Sequence, residues 1–240
     1  MPVVDSLRRL VVLTVFSMAC YACSLTADAG AGPDREFRGV WVATVHNIDW
    51  PSAQGLSVAQ QKAEFREILD VYQALHFNTI LVQVRAAGDV LYPSAIEPWS
   101  RALSGKEGQE SAAGFDPLAF MIAECHARGL DFHAWVNPFR ATLNLETEQL
   151  ADTHAYWQHH DWMVRYGGKY YFNPGIPAVR EHIKQVVAEI VQGYDVDGIH
   201  LDDYFYPYPE DGEVFKDLGT YAAYGGQFES RSAWRRANID

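Results

Sequence analysis

The sequence predicts an α/β fold built on a parallel sheet, and two observations carry this. Four apolar strand-like runs, Phe37 to Val45, Thr79 to Arg85, Asp131 to Asn137 and Gly198 to Tyr204, alternate with amphipathic helical patterns. Such alternation belongs to sheets whose strands are joined by crossover helices. The connections are also lopsided. Helix-to-strand links are brief, such as His76-Phe77-Asn78 and Arg128-Gly129-Leu130, whereas strand-to-helix links are long: Ala86 to Phe115, Arg140 to Ile176 and Phe205 to Glu229. The elaboration therefore sits at the carboxyl ends of the strands, where barrels and open α/β sheets place their sites.

Each element has its own local signal. Ser57 with Gln60 three residues on is a capping box, opening a helix that runs through about Ala74. Asp116-Pro117 is an N-cap followed by proline at the first helical position, and Gly129 closes that helix. Pro177 opens a third helix ending at Gly193, and a fourth begins near Ser230 and is still running at Asp240.

Within the strands, alternation sets Ile80, Val82 and Val84 against Leu81, Gln83 and Arg85. It likewise sets Phe132, Ala134 and Val136 against His133, Trp135 and Asn137, and Ile199 and Leu201 against His200, Asp202 and Tyr204. Each strand thus has one apolar face, suited to covering helices, and one face with polar groups toward its carboxyl end. A buried parallel strand should be apolar on both faces. Ionisable groups on one face are costly unless paired or used. The segment Asp197 to Pro207, which ends in two adjacent carboxylates and a fan of aromatics, is therefore the expected seat of chemistry. For Gln83 and Arg85 a hydrogen-bonded interior layer without catalysis is the plainer account.

The chain has 240 residues, 48% hydrophobic and 21% charged, a length and composition for one large domain. A net charge of -12 argues against nucleic acid or an anionic membrane surface as partner. Many of its 13 Tyr and 7 Trp cluster in apparent loops beside carboxylates and amides, as platforms for sugar rings would. No glycine-rich phosphate loop follows any strand, so no nucleotide or other cofactor is expected.

Residues 1–30 read as an export signal: Arg8 and Arg9, then the apolar run Leu10 to Ala22, then small residues around Ala27-Asp28-Ala29-Gly30. Cys20 and Cys23 each follow a small residue, as lipidated cysteines do, so a membrane lipid anchor and a periplasmic or cell-envelope location are expected. Inside such a segment the Cys20-x-x-Cys23 spacing is not a redox or metal pair. Cys125 is expected in the core of a helix.

The run Phe37 to Val45 with Asn47-Ile48-Asp49-Trp50-Pro51-Ser52 after it resembles the opening of the glycosyl-hydrolase-like 10 family. Gln83-Val84-Arg85, Ala134 to Pro138, Asn173-Pro174-Gly175 and Asp197 to Pro207 match later blocks of that family in order. The resemblance runs from about residue 36 to the end. It implies a (β/α)₈ TIM barrel, exported or surface-anchored in bacteria and acting on glycosidic bonds, with peptidoglycan glycan stripped of its peptides as the leading substrate class. Only four of the eight strand-helix units are legible, so residues 36–240 are expected to be the first half of such a barrel.

Glycoside hydrolysis usually needs two carboxyl groups flanking the bond. Asp202 and Asp203 are the expected catalytic residues, Asp202 as the carboxylate nearest the anomeric carbon and Asp203 reaching the site where the chain turns or orienting Tyr204 or a helix N-terminus. The second acid is expected beyond residue 240, with Asp49 the alternative within the chain. Arg85, His133, Asn137, Asn173 and His200 are expected as substrate clamps, together with Gln83 and Asn47. Trp50, Trp135, Tyr204 and Tyr206 are expected to stack on ring faces, and Trp41 to pack in the core. Two other functions are compatible with these residues. One is a non-catalytic glycan-binding module or decayed enzyme. The other is a metal-dependent hydrolase or deacetylase using His133, His200, Asp202 and Asp203, although no His-x-His spacing favours it.

Overall fold

The chain was analysed as a computed structural model, which describes residues 36–202 and 204–240. The expected export segment with Cys20 and Cys23, and Asp203, lie outside the described residues. Four parallel strands, β1 (Gly39–Val42), β2 (Thr79–Arg85), β3 (Asp131–Val136) and β6 (Gly198–Leu201), form one sheet in the order β1-β2-β3-β6. An antiparallel pair, β4 (Met163–Tyr166) and β5 (Lys169–Phe172), stands apart from it. All of this belongs to the compact unit Arg38–Asp240.

Three long helices follow from the sequence signals. In α1 (Val58–Ala74) the Ser57 hydroxyl accepts from the Gln60 amide, and the Gln60 side chain accepts from the Ser57 amide. The buried residues Gln61, Phe65 and Leu69 recur at every fourth position, one stripe of the helix. After the short α2 (Arg101–Ser104), Asp116 caps α3 (Pro117–His126), which buries Leu118, Met121, Ile122 and Cys125. Following α4 (Ala155–Gln158), α5 (Pro177–Gly193) buries Val179, Ile183, Val186 and Ile190. Stripes of α1 and α3, with Ile190 of α5, pack against Ile80, Val82, Val84, Phe132, Ala134 and Val136 in the main core, while Val179 and Ile183 of α5 join a second cluster with Phe139, Ala141, Ala155 and Phe172. Leu69 is fully buried there, so Leu69→Ala is expected to cost about 2–5 kcal/mol.

The structure shortens or fills several expected elements. The first strand stops at Val42, because the chain coils at Val45–Asn47 with φ of 53° at His46 and 54° at Asn47. The last ends at Leu201 rather than Tyr204. The long Arg140–Ile176 connection holds the β4–β5 hairpin, turned by Gly167-Gly168 at φ of 55° and 71°, a conformation that suits a tight hairpin turn. The Phe205–Glu229 connection contains α6 (Leu218–Tyr224). The final helix, α7 (Arg231–Ala237), does not run on to Asp240, since Asn238 caps it. Among the described residues no helix is long and apolar enough to cross a membrane.

Candidate active site

With helices on one face, the other face of the sheet carries the polar and aromatic residues. Trp41 of β1, His133 and Trp135 of β3 and His200 of β6 meet there. Ring centroids lie 6.0 Å apart for Trp41–Trp135, 5.7 Å for Trp41–His200 and 6.1 Å for Trp135–His200. Parallel pairing sets His133 opposite Gly198 and Trp135 opposite His200. A Cβ on Gly198 would lie 2.8 Å from the His133 ring, so glycine lets the two strands close with the imidazole between them.

Asp202, half-buried just past β6, is the anionic centre of this face. It accepts from Trp135 Nε1 at 3.1 Å, from Asn137 Nδ2 at 3.0 and 3.2 Å, and from the Tyr204 amide at 3.3 Å. Donors on both oxygens fix the orientation of the carboxylate. The Arg140 guanidinium sits 5.4 Å from the Tyr204 ring centroid, and its backbone amide donates to Asn137 Oδ1 at 2.9 Å. Burial holds the His200 imidazole below its ordinary value, His133 adds to this and Asp202 opposes it. Asp197, at the entry to β6, instead binds the Phe132 amide at 2.7 Å and His126 at 2.8 Å, a splice between strands and helix.

The structure therefore brings together Trp41, His133, Trp135, Asn137, His200, Asp202 and Tyr204. Other candidates lie elsewhere. Trp50 is 0% exposed and packs its ring against Phe65, so it is core and not a stacking platform. Trp41, expected in the core, is 62% exposed. Arg85 is fully buried and pairs with Glu97 at 2.7 and 2.6 Å, while also donating to the carbonyls of Asn137 and Pro138. It is sealed in a matched ion pair and not offered to a ligand. Gln83 is buried, its Oε1 accepting from the amides of Thr44 and Val45, so it shapes the turn after β1. Asn173 is buried against Thr220 and Gly175. Asn47 donates to the carbonyls of Pro51 and Ala102. Asp49 accepts from the Ala43 amide at 2.8 Å. Tyr206 lies under Arg235 and bonds Asn238 at 3.1 Å, in a cluster with Phe215.

The family model for glycosyl hydrolase-like 10 matches residues 36–240. The chain belongs to the glycosyl hydrolase-like 10 family. A curated relative, glycosyl hydrolase YngK of Bacillus subtilis (strain 168), is 45% identical over 222 residues, 92% of this chain and 43% of its own length. Glycosyl hydrolase DigH of Escherichia coli (strain K12) is 35% identical over 263 residues, 97% of this chain and 59% of its own length. The chain thus spans about half the length of the curated relatives it matches. Among solved structures, α-L-fucosidase isoenzyme 2 from Paenibacillus thiaminolyticus overlays with a TM-score of 0.53 at 20% identity. That match covers 85% of this chain and 28% of the fucosidase, a likeness of fold. The parallel α/β architecture is that of TIM-barrel glycoside hydrolases, and membership of this family gives the chain a glycoside hydrolase-like character.

The sequence alone left three residues unread. Glu97, Asp89 and Glu107 all lie in the long β2–α3 connection and are buried. Their signal was present as acids in a loop at the carboxyl end of a strand.

Proposed function

We propose that the protein is a glycoside hydrolase in which Asp202 is the carboxylate at the anomeric carbon, acting as nucleophile or base. The observation that carries this reading is the Asp202 carboxylate itself. It stands at the carboxyl end of β6, held by Trp135 and Asn137 beside the Trp41, His133 and His200 rings. Exposed aromatic edges next to a fixed carboxylate suit a sugar ring, whose faces stack and whose hydroxyls need donors at set positions. The substrate we propose is bacterial cell-wall glycan, peptidoglycan strands stripped of peptides. The test is release of reducing ends from such strands by the whole protein. Binding without any release would favour a glycan-binding module instead.

We further propose that residues 36–240 are the first half of the barrel and that further strand-helix units of the whole protein complete it. Strands β1 and β6 are the edges of a four-stranded parallel sheet, and unpaired edges of this kind call for a partner strand. The second carboxyl group would then come from those units. A chelator should leave turnover unchanged, whereas metal-dependent hydrolysis or deacetylation would be lost.

Export through residues 1–30 and anchoring at Cys20 or Cys23 complete the proposal. Replacing both cysteines by Ser should release a soluble form from the membrane fraction.

A further inference from the structure

The loops that follow β1, β2 and β3 enclose a cavity of about 120 Å³ whose wall includes Asp89, Glu107, Arg101, His46, Asn47 and His154. A single water needs only about 10–15 Å³ of such space, so there is room for something the size of a sugar substituent or ring. Asp89 is 5% exposed. Ser100 supplies one hydrogen bond to its carboxylate, while Oδ1 has no partner among the described residues. Glu107 is buried too and accepts from the Ala151 amide at 3.0 Å.

Arg101, in the cavity wall, is a cation that acts on both carboxyl groups. Arg101 donates to the side chain and carbonyl of Gln149. Arg85 is matched by Glu97. His154 Nδ1 accepts from the Tyr156 amide, so its proton is on Nε2, which gives it to the Ala141 carbonyl at 3.1 Å. Burial keeps this imidazole neutral, its pKa lowered to about 4. Two carboxyl groups thus share the cavity with one guanidinium, so one of them has no cation of its own. Burial pushes Glu107 up to about 8, with the Asp89 charge adding to it, and burial also raises Asp89. Leaving such groups unmatched is costly.

We propose that this cavity is a subsite for a primary ammonium group carried on a sugar ring, that is, for a non-acetylated amino sugar in the glycan. This rests on the reading of the substrate as glycan. The ammonium donates N–H to Glu107 and, as the Asp89 side chain turns toward it, to Asp89 Oδ1, and a proton held by Glu107 leaves to solvent as the cation enters, so charge balances. Among the described residues no cluster of three His, Cys, Asp or Glu suits a metal ion. Two carboxyl groups are few for a divalent ion, which takes six or more oxygens, and suit an ammonium better.

The test is calorimetric titration of the purified protein at pH 7 with D-glucosamine and, separately, N-acetyl-D-glucosamine. Glucosamine should bind at least about tenfold more tightly, with a heat that changes with the ionisation enthalpy of the buffer. Asp89→Asn and Glu107→Gln should each weaken it about tenfold. Both substitutions keep shape and remove an unmatched buried acid, so both variants should melt at or above the parent temperature. Equal affinity for the two sugars, no glucosamine binding, or unchanged binding in both variants would overturn the proposal. So would melting of both variants well below the parent, which would make these carboxyls structural. Binding is read without turnover, so loss of the subsite leaves the Asp202 chemistry standing, and the reverse holds as well.

Discussion

Asn137 gives its side-chain amide to both carboxylate oxygens of Asp202, at 3.0 and 3.2 Å. The backbone carbonyl of the same Asn137 accepts from Arg85, whose charge is answered by Glu97. Asp202 is therefore oriented through a line of buried groups running from Glu97 through Arg85 and Asn137.

Asn137→Ala should lower kcat by about 10²-fold while leaving KM nearly unchanged, since a misplaced catalytic group costs rate rather than binding, and should lower the melting temperature because the Arg140 amide loses its acceptor. Steady-state kinetics on the glycan check this. An equal effect on KM alone would make Asn137 a substrate contact.

Arg85→Met strands the Glu97 carboxylate in the core and should cost about 3–5 kcal/mol, read from denaturant unfolding. Adding Glu97→Gln should recover part of that loss. Burial alone would raise the Glu97 carboxyl, but Arg85 and His182 overcome it and hold it at about 2. A carboxyl lowered on folding stabilises above its ordinary value of 4.5 and loses that contribution as pH falls toward 2. Acid unfolding of the parent should steepen in that window, and the double variant should not show it.

Trp41 and Trp50 should separate binding from stability. Trp50 is fully buried and Trp41 mostly exposed. Trp50→Ala should destabilise by about 3–5 kcal/mol. Trp41→Ala should leave the melting temperature alone and weaken glycan binding by about tenfold, a stacking contribution of ~1 kcal/mol or more. Retained affinity in the Trp41 variant would remove it from the site.

Much of this architecture is legible in local sequence. The Ser57–Gln60 box, the Asp116-Pro117 start and the Pro177 start each mark a helix where the structure has one. Alternation in β2, β3 and β6 correctly separates the helix-packed face from the face bearing His133, Trp135 and His200. What local pattern misses is where long loops fold back. Arg85 reads as an open clamp until Glu97, twelve residues on, returns to neutralise it. Trp50 reads as a loop aromatic until Phe65 and Gln61 of α1 enclose its ring and accept its indole N–H. Trp41 reads as core by strand position, yet β1 is an edge strand and the ring stays exposed. The Gly167-Gly168 hairpin lies inside a stretch read only as a long connection, outside the parallel strand-helix rhythm.

The central claim is that Asp202 performs the chemistry, and the most direct measurement is the rate at which the whole protein with Asp202→Asn cleaves peptide-free peptidoglycan strands. The expected result is a loss of about 10²–10⁴-fold in turnover or more, with glycan affinity and melting temperature kept. Turnover within a factor of about two of the parent, well short of the loss a general acid or base causes, would contradict the assignment.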